Sequence, residues 1–304
     1  MKIITSIDEG RRLDNVIFTT LHSMPRSLVY KLIRSGQVRI NGKRSRPSDR
    51  VSVGDKVRIP PVSQKVIRLN EISASDIEQL EHCVLHEDTQ LLIINKPSGI
   101  SSHSGTNSRY GVVEIMRHAR PFLDSLNLAH RLDKETSGCL VLCKDLTSLR
   151  EVQSSFNKRF CKKEYIALLR GNVPENLREI SQNLLNIRQN SGYKRAVADS
   201  CGKMAKTLIK RKKRIGGQTF AVFALETGRM HQIRAHCHLI GHPVAGDRKY
   251  GDSHFNKQMK KLGLNRMFLH SSFFGLSSAK IQIEIEAPTP TSLQSVLDNL
   301  ENKL

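Results

Sequence analysis

Residues 129–145 read AHRLDKETSGCLVLCKD and join a charged loop directly to a buried strand. The polar half gathers His130, Arg131, Asp133, Lys134 and Glu135 beside Thr136, Ser137 and Gly138, a loop composition. Leu140, Val141 and Leu142 follow as a short apolar run of buried-strand character. A loop held at the start of such a strand is a rigid place to present one side chain. Asp133 stands two residues after Arg131 and directly before Lys134, and nearby cations favour an ionised carboxylate, a competent nucleophile. An Asp in a charged loop is also an ordinary turn or cap residue, so composition alone does not assign it a role.

The chain around this loop is strongly basic. Lys plus Arg number 49 against 28 acidic residues, a formal charge of +21. Such an excess points to a polyanionic partner, nucleic acid or an anionic membrane. The start MKIITSIDEG has no signal-peptide pattern and no stretch reaches the length of a membrane span, so a cytoplasmic protein with an RNA or DNA partner is expected. Aromatic residues are only 5% and Trp is absent, which disfavours recognition by stacked bases. Phosphate contacts through Lys and Arg should dominate, with strong salt dependence. The six cysteines form no CxxC pair and read as small buried thiols.

Residues 11–61 form the first domain. A helix is expected over 25–35, capped by Ser23 and stopped by Gly36. At about 100° per residue, Leu28, Val29, Leu32 and Ile33 share one face, while Arg26, Tyr30, Lys31 and Arg34 share the other. Val38 and Ile40 alternate with Arg39, Asn41-Gly42 signals a hairpin, and Lys43 and Arg44 extend the charge. Short strands are expected around the Gly54-Asp55 turn. Residues 62–80 are polar, lack sustained periodicity and read as a linker.

A second domain, 81–304, alternates strand patterns (91–94, 162–171, 204–209, 220–225, 266–274, 281–286) with few helices. Helical patterns lie near 112–116, through Leu149, Val152, Phe156 and Phe160, after the Gly228 turn, and at the C-terminus. Residues 171–200 are turn-rich and unassigned, and the run 210–214 reads as a solvated basic face or a phosphate contact. Strand runs with scattered helices argue an α+β class with a mixed, mostly antiparallel sheet.

HRLDKETSG and its following strand resemble the signature loop of the RluA-type pseudouridine synthases. VLHEDTQLLIINKPSGISSH, KKEYIALLRG, LETGRMHQIRAHCHLIGHPVAGDRKYGD and RMFLHSSFFGL resemble further motifs of that family, so the likeness covers nearly the whole chain. The helix, basic hairpin and VGD turn resemble an S4 RNA-binding module. The resemblance implies the pseudouridine synthase fold and isomerisation of uridine in RNA without a cofactor or metal. Asp133 matches the catalytic carboxylate, Arg229 the arginine that salt-bridges it, and Tyr165 the tyrosine that packs on the target base. Leu269 would wall the base pocket. A target inside structured RNA must be flipped out, and Arg131, with His130 beside it, would contact the RNA and fill the gap. In the S4-like module Arg26, Lys31, Arg34, Arg39, Lys43 and Arg44 would hold RNA.

The Asp133–Arg229 pairing makes a geometric demand: the two side chains must meet. Attack at the ribose C1′ and attack at the uracil C6 both stay open. His231, His236, His238 and His242 match no zinc signature. Within the family, the S4-like module and LGLNRMFLHSS resemble the C-type large-subunit branch, which implies a monomer acting on more than one uridine of 23S ribosomal RNA. A D-type enzyme would differ in its uridines, a binding or ribosome-assembly factor would use the charge without the loop, and a metal-dependent nuclease would cut the strand.

Overall fold

The apolar run after the charged loop forms a strand buried along its whole length, and the larger part of the chain is arranged around it. In the computed structural model the described residues are 1–21, 26–61, 72–105, 110–123, 125–158, 160–189 and 194–302. They fall into two compact units, Met1–Glu71 and Ile72–Leu304.

The first unit contains β1 (Lys2–Ile3), α1 (Leu13–Thr20), α2 (Arg26–Arg34), β2 (Arg39–Ile40), β3 (Lys43–Arg44) and β4 (Lys56–Arg58). Its strands form an antiparallel sheet in the order β1-β4-β2-β3. Val29, Leu32 and Ile33 of α2 are buried with Leu13, Val16 and Ile17 of α1, so the apolar side of the amphipathic helix is the one that packs. Gly36, at φ +74°, ends α2. Asn41 and Gly42 both have positive φ and turn β2 into β3, the backbone that a two-residue hairpin of this twist requires. Ser23, the expected cap, lies outside the described residues.

The second unit opens with α3 (Ala74–Glu81), capped by Ser73, whose hydroxyl accepts from the Asp76 N–H at 3.1 Å. Its Leu80 is buried in the main core with Ile72, so residues 72–80 belong to this unit and not to a linker. Then follow β5 (Val84–Glu87), β6 (Leu91–Lys96), α4 (Val112–Ala119), β7 (Asn127–Leu128), β8 (Ser137–Cys143), α5 (Leu146–Asn157) and β9 (Cys161–Leu169). The region without a sequence assignment supplies β10 (Glu179–Ser181), β11 (Leu184–Arg188) and β12 (Lys194–Ala198). The chain continues through β13 (Lys206–Ile215), β14 (Gln218–Leu225), α6 (Gln232–Leu239), α7 (Ser253–Lys261), β15 (Leu269–Ser277), β16 (Gln282–Glu286) and α8 (Thr291–Glu301).

The main sheet runs β10-β13-β14-β9-β15-β8-β6-β5, with β16 beside β15 and β7 beside β8. Every pairing is antiparallel except β15 with β8, which gives the mixed, mostly antiparallel sheet of an α+β protein. The strands β11 and β12 pair as a separate hairpin. In β8, Leu140 and Leu142 face one core cluster while Cys139, Val141 and Cys143 face another. Burial on both faces explains why its sequence is an unbroken apolar run. Gly138, the second residue of that strand, has room for nothing larger: a Cβ there would sit 2.1 Å from the Ser271 carbonyl oxygen, and its φ is +110°.

Candidate active site

The loop between β7 and β8 is held from both ends. The Ala129 N–H donates to the Val141 carbonyl at 3.0 Å, and the Thr136 N–H to the Asp133 carbonyl at 3.0 Å. A second segment, 96–102, cradles it. Ser102 Oγ donates to the Leu132 carbonyl at 2.9 Å and accepts from the Leu132 N–H at 3.0 Å. Lys96, wholly buried, donates through Nζ to the carbonyls of Pro97, Ile100 and Lys134 at 2.8, 2.8 and 3.2 Å. Burial, then the charge of Arg266, push its pKa down to about 7 against Asp133 and Glu135. Three carbonyl acceptors need three N–H donors, which only the ammonium form supplies, so the loop itself favours protonated Lys96.

That scaffold presents Asp133 to α6. Arg234 Nη1 donates to Asp133 Oδ2 at 2.8 Å, while its Nε and Nη2 grip Asp247 at 2.7 and 2.9 Å. Asp247 is buried and also accepts from the N–H groups of Lys249 and Tyr250 at 2.8 and 3.0 Å. Burial opposes the ionised form of Asp247, but the Arg234 hydrogen bonds and charge outweigh it and hold the carboxyl below its usual range. The same pairings keep the Arg234 guanidinium charged despite its burial. His231 Nε2 stands 3.8 Å from Asp133 Oδ1.

The expected pairing of Asp133 with Arg229 is therefore corrected. Arg229 is exposed in the turn before α6, and its Nε donates to the Met204 carbonyl at 3.0 Å. The arginine that meets Asp133, Arg234, lies five positions on, in the first turn of the helix. There a long side chain leaves the flank of the buried face defined by Ile233 and Cys237, about 60° from Cys237 on the helical wheel.

Tyr165 and Leu269 come together beside the loop. They occupy neighbouring strands, β9 and β15, with Leu269 opposite Ala167 and Ser271 opposite Tyr165, and both share a cluster with Leu132. Burial first, then the charge of Asp133, drive the Tyr165 phenol up against a hydrogen bond with Ser271. It is a protonated phenol at neutral pH. Arg131 is exposed at the loop apex. His130 points the other way: its Nε2 accepts from the Val141 N–H at 3.2 Å and its ring stacks on Phe274 at 6.1 Å. Burial and Lys163 push it down to about 3. His130 is thus a neutral packing residue, a correction to its expected place in RNA contact. A cavity of about 820 Å³ lies on the opposite sheet face, lined by Ile166 and Val222 among others, and contains none of these groups.

In the first unit Lys31, Arg34, Lys43 and Arg44 are exposed. Arg39 is half-buried, and its guanidinium donates to the carbonyls of Gly36 and Gly42 at 3.1 and 3.3 Å, which makes it a brace for the hairpin. The side chain of Arg26 lies outside the described residues. Arg234, Asp247, His231 and Tyr250 escape a reading confined to linear pattern. The available signal was Arg234's position on the flank of the apolar stripe of α6, where a cation needs a buried anion.

A family model described as RNA pseudouridylate synthase matches residues 90–239, and an S4 domain model matches 11–57. The chain is 39% identical over 275 residues to the ribosomal large subunit pseudouridine synthase C of Haemophilus influenzae, covering 89% of this chain and 85% of that protein. It is 36% identical over 308 residues to the protein of the same name in Escherichia coli K12, covering 98% and 96%. Among solved structures, Human RNA Pseudouridylate Synthase Domain Containing 4 superposes with a TM-score of 0.60 at 24% identity, covering 74% of this chain and 95% of that one, a likeness of fold. Among the described residues no helix is long and apolar enough to cross a membrane.

Proposed function

The chain belongs to the RNA pseudouridylate synthase family and carries an S4 domain, and from that premise we propose that it converts uridines of 23S ribosomal RNA to pseudouridine with Asp133 as nucleophile. The observation that carries this reading is a single carboxylate at the tip of a braced loop, gripped by an arginine from α6. In the reaction the N1–C1′ bond breaks, the uracil turns, C5 joins C1′, and the proton lost from C5 is replaced by one gained at N1. The sum is redox-neutral and calls for no cofactor.

Arg234 orients the Asp133 carboxylate and supplies its counter-charge. Tyr165, held as a neutral phenol, packs against the uracil. Leu269 closes the other side of the base. Arg131, exposed in the loop two residues before Asp133, occupies the space the flipped nucleotide leaves. Lys31, Arg34, Lys43 and Arg44 give the S4 domain a phosphate-binding surface for ribosomal RNA. By the same reading the protein is a cytoplasmic monomer that modifies more than one uridine.

The test is tritium release from 23S RNA labelled with 5-³H-uridine. Wild type should release tritium, and Asp133→Asn should lose at least about a thousandfold in rate while keeping its fold. Turnover by the variant would remove Asp133 from its role. Release by neither protein would favour a binding factor. Mapping pseudouridine in 23S RNA from a deletion strain identifies the target uridines and separates the C-type from the D-type reading.

A further inference from the structure

Tyr250 is buried between α6 and the β11–β12 hairpin, where it joins groups from both. The Ala196 N–H, in β12, donates to its hydroxyl at 2.6 Å. The same hydroxyl lies 2.9 Å from His231 Nδ1. The guanidinium groups of Arg195 and Arg234 lie 4.8 and 5.1 Å from the ring centre. Because the hydroxyl oxygen already accepts from Ala196, its own proton is the one available to Nδ1. The imidazole proton then sits on Nε2, the atom 3.8 Å from Asp133 Oδ1. The other neutral tautomer would turn a bare lone pair toward a carboxylate, an unfavourable arrangement.

His231 occupies this place at a backbone cost. It is the N-cap of α6 with φ +55°, a left-handed conformation that a non-glycine residue adopts rarely. The conformation turns its ring toward both Tyr250 and Asp133.

We propose that Tyr250 and His231 are positioning residues that tie the β11–β12 hairpin to the nucleophile. Arg234 holds Asp133 Oδ2, and the Nε2–H of His231, its tautomer fixed by Tyr250, holds Oδ1. A shift of about 1 Å brings that donor to hydrogen-bond distance, so the carboxylate is aligned only while β12 is docked on the Tyr250 hydroxyl. This rests on the reading of Asp133 as nucleophile.

The test compares the full chain with Tyr250→Phe, which keeps the ring under both arginines and removes both hydroxyl hydrogen bonds. Single-turnover tritium release from 5-³H-uridine 23S RNA is followed from pH 5 to 8, with RNA affinity measured by filter binding. The groups facing His231 are Asp133, Asp247, Arg234, Lys249 and Tyr250; Arg195 and His238 face Tyr250. In wild type, burial with Arg234 and Lys249 keeps His231 down at about 4, so its protonation adds no limb over this range. Loss of the hydroxyl donor frees Nδ1 to take a proton beside two carboxylates. Tyr250→Phe should therefore lose roughly ten- to a hundredfold in rate, with RNA affinity within about twofold, and that loss should shrink toward pH 5, where the doubly protonated imidazole again presents Nε2–H to Asp133. His231→Gln, which keeps an N–H donor and cannot titrate, should be at least about fivefold faster than His231→Leu. Wild-type rate and pH profile in Tyr250→Phe would overturn the proposal. Should that variant fail to fold, equal rates for the two His231 variants would overturn it. No release by wild type would instead sink the nucleophile reading itself.

Discussion

One guanidinium in α6 serves two carboxylates, and most of the site's energetics follow from that. Arg234 binds Asp247 through Nε and Nη2 and Asp133 through Nη1. Removing it strands a fully buried charge on Asp247, a loss of about 3–5 kcal/mol for a broken buried pair. Arg234→Met should therefore abolish tritium release and lower stability in urea by about that amount. Arg229→Ala, at an exposed turn, should stay within about 0.5 kcal/mol of wild type and keep turning over. A silent Arg234→Met or an inactive Arg229→Ala would return the role to Arg229. The two arginines are five positions apart in one motif, and residue types alone do not rank them. His130 and Asp133 illustrate the same limit, because three steps along an irregular loop reverse the side on which a residue points.

Among the elements, the edge of the sheet is tied to α4 by a charge cluster. Arg120, at the C-cap of α4, binds both Glu81 of α3 and Glu87 of β5, and Lys144 meets Glu87 at 2.9 Å. The Arg120 hydrogen bonds, followed by those of Lys144, hold Glu87 down at about 2, against burial. A carboxylate depressed in the fold adds stability that is fully present above its unfolded value near 4.5 and is lost as the pH falls through about 2. Wild type should therefore lose stability between pH 4.5 and 2. Arg120→Met should be less stable at pH 7 and show a shallower loss over that window in thermal melts at stepped pH. Identical acid limbs would remove Glu87 as their source. Elements with a full pattern, such as β8, β9 and α2, were legible from period and composition. The helix α3 was not, because it offers only Ile77 and Leu80 as apolar anchors, too few to establish a period. The charge run 210–214 reads as a surface stretch and is largely exposed, but its place inside β13 was not legible, nor that Lys212 donates to the carbonyls of Glu175 and Leu177 at 3.1 and 3.0 Å.

At the scale of the whole molecule, two units with separate cores predict separable roles. A fragment of residues 72–304 keeps the core clusters of the second unit and should fold alone and release tritium from ribosomal RNA. Its affinity should be weaker, and the slope of log affinity against log salt should fall by roughly 0.7–0.9 for each phosphate that the S4 domain would have neutralised. An unchanged slope would exclude the basic surface of the first unit from RNA binding. The amino-acid sequence by itself carried the family resemblance, which implied the chemistry class, the candidate loop and the S4 domain, and it determined most strands, because a turn dipeptide, an alternation or an apolar run rests on neighbours within a few residues. Only the tertiary structure decided which arginine meets Asp133, which histidine packs inward and where Tyr250 stands, since those depend on chain segments distant in sequence meeting across a sheet whose pairings no local period encodes.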